Sequence, residues 1–218
     1  MSGEQIALND ILGEGLELAR QHSTLLAATG VAIAVGYTLL DMIGASGAAT
    51  AVNLVVAIMV QYKVLEKLLA DRITPDGRGN RRYGSLFGSS LLSGLGIGLG
   101  FLLLIIPGIY LSGRWLSCTA YVVAEGKRAS ESLGASWSAS EPSQVAHTLA
   151  ALVSGLPIAG LIISGILAVT AGVDVEGLAA SAMINVFTAA SSLLIWVLGA
   201  AAYRVQRPGN DQLDAVFA

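Results

Sequence analysis

The stretch LFGSSLLSGLGIGLGFLLLIIPGIYLSGRWLSCTAYVVA, residues 86–124, decides how this chain folds. It carries one charge, Arg114, and one strong turn signal, Pro107-Gly108. Read as a single helix it would be about 58 Å long at 1.5 Å per residue, nearly twice a hydrocarbon core of about 30 Å. Read as a hairpin it supplies two crossings, 86–106 and 109–124, with Pro107-Gly108 between them. Outside it, apolar runs at 24–44, 48–62, 148–170 and 178–202 each read as a further crossing.

The lysines and arginines favour the hairpin. With six crossings and the N-terminus inside, the inner segments hold Arg20, Lys63, Lys67, Arg72, Arg78, Arg81, Arg82, Lys127, Arg128, Arg204 and Arg207. Arg114 alone is left within a span. The outer loops hold only Asp174 and Glu176, with Asp41 near an outer helix end. Treating Pro107 as a kink in one helix would move Lys127, Arg128, Arg204 and Arg207 outside, against the positive-inside rule. The expected fold is therefore all-α and polytopic, with six transmembrane helices and both termini cytoplasmic.

Composition agrees. Of 218 residues, 54% are hydrophobic and only 12% charged, against roughly a quarter charged in an average soluble domain. The mean hydropathy is +0.70. Such a chain cannot clothe itself in charge, which excludes an ordinary cytosolic enzyme, a disordered tail and a nucleic-acid binder. The formal net charge of −3 says less than the one-sided placement of the cations. A single cysteine, Cys118, excludes an internal disulfide and a zinc site built on paired cysteines.

Residues 1–22 read as an amphipathic interfacial helix rather than a cleavable leader. Leu8, Ile11, Leu12, Gly15, Leu16 and Ala19 recur at helical spacing, opposite Asn9, Asp10, Glu14 and Glu17. Its acidic face is expected to lean on the basic loop from Lys63 to Arg82; a frayed acidic leader is the alternative. A second amphipathic segment covers 129–139, with Leu133 and Trp137 one turn apart as an interfacial anchor. Pro142 ends it. Tyr62, Tyr83, Tyr121 and Tyr203 fall near the expected inner ends, and 207–218 reads as a short cytoplasmic tail.

The polar and small residues inside the spans are the candidate site. Gly84, Gly88, Gly94, Gly96, Gly98 and Gly100 give small residues four apart, the spacing that lets helices approach closely in lipid, so a packing seam is expected. Arg114 would sit about 9 Å along its helix from the outer end, at a depth like that of Asp41. The two are expected to pair or to face one outward-opening cavity, the alternative being that each snorkels separately. Asn53, Gln61 and Asn185 suit interhelical hydrogen bonds, and Pro157 should kink the fifth span. His22 and His147 stand at different helix entrances with no cysteine or carboxylate at ligand spacing. The chain carries no nucleophile-elbow or paired-histidine motif. No catalytic, cofactor-binding or metal-binding residue is assigned.

Residues 102–140, LLLIIPGIYLSGRWLSCTAYVVAEGKRASESLGASWSAS, add a resemblance. A Pro-Gly-Ile-Tyr turn (Pro107, Gly108, Ile109, Tyr110), an early Arg (Arg114) and an acid at the inner end (Glu125) come first. A Ser-Leu-x-x-Ser-Trp helix follows (Ser132, Leu133, Ser136, Trp137). This resembles the signature of YciC-type bacterial inner-membrane proteins and of the membrane domain attached to some glycerophosphoryl diester phosphodiesterases. Gly134 and Ala135 stand where basic residues are usual, which weakens any lipid-headgroup or partner contact made through them. The catalytic phosphodiesterase domain is absent. The resemblance implies a six-helix inner-membrane protein linked to membrane organisation, and no reaction.

The function expected is that of a non-enzymatic accessory, assembly or membrane-organising subunit. Its partners would be membrane lipids and a membrane protein or a second copy of itself. A small-solute carrier using Arg114 and Asp41 is the second reading, and the membrane module of a lipid-processing complex the third.

Overall fold

The computed structural model describes residues 6–43, 47–79, 82–172 and 177–207. Among them every element is helical: α1 (Leu8–Gln21), α2 (Ser23–Met42), α3 (Gly47–Leu68), α4 (Pro75–Gly79), α5 (Tyr83–Leu103), α6 (Ile105–Arg114), α7 (Cys118–Glu125), α8 (Ala129–Ser140), α9 (Gln144–Thr170) and α10 (Leu178–Gln206). A 3₁₀ turn, Glu141–Ser143, carries Pro142 and joins α8 to α9. The expected outer acids Asp174 and Glu176, the side chains of Arg78 and Arg81, and residues 208–218 of the tail lie outside the described residues.

Four helices are long and apolar enough to cross a membrane, fewer than the six expected: α2, α5, the run ending in α9, and α10. The expected fourth crossing, 109–124, is not one helix. It is broken by a turn at residues 115–117 into the 10-residue α6 and the 8-residue α7. The hairpin itself is present, but it turns at Leu104, whose φ of −158° and ψ of 136° are extended. Pro107 sits in the first turn of α6. The first N–H groups of a helix have no partner within it, so proline's missing donor costs nothing there. Pro157 likewise lies inside α9 without ending it.

Packing divides the molecule into two zones. Tyr62, Leu65 and Leu68 of α3, Leu69 just beyond it, Leu86 of α5, residues 120–124 of α7 and residues 197–203 of α10 form a buried core. This explains why α3 runs six residues beyond its expected end: Val64, Leu65 and Leu68 continue its apolar face. Elsewhere large apolar side chains are bare, as on α2 (Val31, Val35, Leu39), α9 (Leu156, Ile162, Ile166) and the α5–α6 turn. In that turn Leu102 is 81% and Ile106 80% exposed. A girdle of this kind is at home in acyl chains.

The buried zone is also where charges gather. Arg204 of α10 bonds both Glu14 of α1 and Asp71 beyond α3, while Glu125 at the end of α7 meets Lys127, Arg207 and Tyr203. Glu14 therefore does not lean on the basic loop as expected; its partner is Arg204. The reason is packing, because α1 buries Ile11, Gly15 and Leu18 against α10, with Gly15 facing Leu198. Leu16 is left exposed. Gly126 closes α7 with φ at +62°, and a Cβ there would lie 2.7 Å from the Asp76 carbonyl oxygen.

Candidate functional site

Arg114 ends α6 and is only 7% exposed. Its Nε donates to the Tyr110 hydroxyl at 2.9 Å, one turn back on the same face, and its Nη1 donates to the Trp137 carbonyl at 3.0 Å. The guanidinium carbon lies 4.7 Å from the Trp137 ring centre and 5.2 Å from that of Tyr110. The two rings meet edge to face at 5.8 Å. A buried cation is costly unless its donors are met and its charge is screened. Here two oxygens meet donors and two π faces supply the screening.

Serines bring α8 to this site. Ser132, Ser136 and Ser140, four apart, are fully buried, and their small side chains let α8 approach closely. Ser136 Oγ donates to the Arg114 carbonyl at 2.7 Å and lies 3.1 Å from Ser117 Oγ. Ser117 and the Tyr121 hydroxyl both donate to Gln206 Oε1 at 3.2 Å. Gln206 Nε2 in turn lies 2.6 Å from His147 Nε2, and His147 Nδ1 lies 3.0 Å from the Ser143 carbonyl. With the proton on Nδ1, both bonds of this fully buried imidazole are made. One connected polar network thus joins α6, α7, α8, α9 and α10.

Asp41 takes no part in it. Its carboxylate accepts from Ser181, and from Asn185 Nδ2 at 2.8 Å, tying α2 to α10; Asn185 also donates to Thr38. Leu116, two residues beyond Arg114, sets its carbonyl against Gly199 of α10. Asn185 is fourteen residues further along that helix, about 21 Å. Arg114 and Asp41 are therefore neither paired nor on one cavity. Measuring Arg114's depth from an outer turn at Gly108 put it too near Asp41, because Arg114 is held by Tyr110 of its own helix and by Trp137 of α8.

The glycines divide by face. A Cβ on Gly88 would meet Ala129, on Gly96 the Trp115 ring at 2.5 Å, and on Gly100 the Gly108 backbone nitrogen at 2.8 Å. Gly84, Gly94 and Gly98 have nothing within 4 Å. Leu133 and Trp137 are half-buried. Trp137 is not a free interfacial anchor, since its ring covers Arg114 and lies 6.2 Å from Trp115. The residues that sequence reasoning missed are Gln206, Ser117 and Ser140. A serine every fourth residue in α8 was the visible signal, and nothing local marked Gln206.

The fold and site together define an all-helical bundle with four helices able to cross a membrane, stapled at one end by a buried polar network. In comparisons with known proteins, no family model, no curated protein and no solved structure matches the chain.

Proposed function

We propose that the chain is a non-enzymatic multi-pass protein of a bacterial inner membrane, an accessory or assembly subunit that acts by packing against a protein or lipid partner. One observation carries this reading. Of the side chains a carrier or an enzyme would use, Arg114 and His147 are buried against neighbours from this same chain, and Asp41, though exposed, is held by Ser181 and Asn185. What the chain presents instead is its girdle of apolar side chains. The resemblance of residues 102–140 to YciC-type proteins points the same way.

Six crossings remain the topology we propose, with α3 as the second and α6–α7 as a broken fourth. From 105 to 125 that arm has as many residues as α5, so the hairpin starts and ends on one side. Tyr83 at its start stacks against Tyr62, and Glu125 at its end bonds Tyr203, both in the charged zone. The positive-inside rule makes that side the cytoplasm.

The test is extraction in mild detergent, purification and mass spectrometry of everything that travels with the protein. A membrane protein recovered at fixed stoichiometry is expected. Recovery of the chain alone, at any detergent concentration that keeps it folded, would contradict the accessory role.

A further inference from the structure

Where the buried core of α10 gives way to the girdle there is a cavity of about 310 Å³ between α3, α5, the α6–α7 arm and α10. It is large enough to be a ligand site. Its walls include Gln61, Ser90, Ser93, Ser112, Thr119 and Trp196. Gln61, only 8% exposed, sets its side chain in the wall of the cavity. Ser90 Oγ is buried and unpartnered. Ser93 and Ser112 give their protons to backbone carbonyls one turn back and retain lone pairs. Leaving the Ser90 hydroxyl buried without a partner costs roughly 1–3 kcal/mol, which a polar occupant of the cavity would offset.

We propose that this cavity binds the uncharged polar end of a glycerolipid, a free hydroxyl beside ester carbonyls, as in a diacylglycerol. Charge decides against a phospholipid phosphate: among the described residues lining the cavity there is no lysine, arginine or histidine to receive it. Hydrogen-bond parity decides against a lipid quinone, which only accepts. Gln61 offers donors and an acceptor together, and a hydroxyl with an adjacent ester answers both. Depth agrees as well. Gln61 lies two residues, about 3 Å of helix, from the half-exposed Lys63, just beneath the charged zone. Lipid esters lie at that level. Further along α3, Val52, Val55 and Met59 are exposed, so the opposite side of that helix belongs to the apolar girdle. On the other side of Trp196 a second cavity of about 380 Å³, largely apolar, lies against the same stretch of α3 and offers room for an acyl chain.

This inference stands apart from the accessory role, since a lipid can occupy the site with or without a protein partner. Its test uses the full-length protein in detergent and a photoactivatable diacylglycerol. Saturable labelling of about one lipid per chain is expected, mapping to α3 and α5. Unlabelled diacylglycerol should compete, and phosphatidylglycerol with the same acyl chains should not. Gln61→Leu should weaken binding about tenfold, and Ser90→Ala should weaken it in the same direction. Labelling that does not saturate, equal competition by phosphatidylglycerol, or unchanged binding in both variants while the thermal midpoint is retained would overturn the proposal. Equal competition would leave a site that takes lipid whatever its headgroup, and the other two results a cavity that holds only water.

Discussion

Gly100→Ala and Gly113→Ala are each expected to lower the stability of the detergent-purified protein by about 1–3 kcal/mol, while Gly98→Ala leaves it unchanged or slightly raised. All three replace glycine within a helix, a change worth up to about 1 kcal/mol in favour of alanine by propensity alone. Space reverses the sign at two of them. A Cβ on Gly100 would lie 2.8 Å from the Gly108 nitrogen, and one on Gly113 would lie 2.7 Å from the Thr148 backbone. Backbone cannot rotate away as a side chain can, so α5 must part from α6, or α6 from α9. Gly98 has nothing within 4 Å to strike. Thermal midpoints read from loss of monodisperse protein would check the ordering. Equal damage at Gly98 and Gly100 would mean that the open face of α5 is covered by something outside this chain.

Arg114→Met is the second large effect, about 2–3 kcal/mol of destabilisation, with Arg114→Lys failing to restore most of it. The guanidinium holds four things together: the Tyr110 hydroxyl, the Trp137 carbonyl and two ring faces. A lysine ammonium on a flexible stem cannot meet them all at once. Loss of the clamp should free α8 from α6, because Ser136 and Ser117 depend on the same approach. Asp41→Asn should add its own smaller effect independently, the two residues sharing no partner. A coupling above about 1 kcal/mol in the double variant would contradict the separation of the two sites.

Much of the fold was legible because hydropathy and helical length are local properties. The expected crossing 24–44 is α2, Ser23–Met42, and the expected 178–202 lies within α10, Leu178–Gln206. The break at 115–117 was not legible. Trp-Leu-Ser holds neither glycine nor proline, and the chain turns there to send α7 into the core. The turn at Leu104 was mistaken for one at Pro107 because proline marks the start of a helix as readily as its end. At the candidate site, a lone arginine in an apolar run marked Arg114 for attention, but its partners are a carbonyl, a hydroxyl and two rings, which no charge pattern announces. The six glycines share a spacing, while the neighbours that separate Gly96 and Gly100 from Gly94 and Gly98 come from α6 and from Trp115.

The claim on which the rest depends is that the charged, closely packed end of the bundle faces the cytoplasm while the bare girdle lies in the membrane. Cysteine labelling in intact cells tests it directly. With the buried Cys118 replaced by alanine, Glu176→Cys and Ser130→Cys would each be treated with a membrane-impermeant maleimide. Glu176→Cys is expected to react in intact cells and Ser130→Cys, next to Lys127 and Arg128, only after permeabilisation. Reaction of Ser130→Cys in intact cells would place the charged end outside and overturn that orientation.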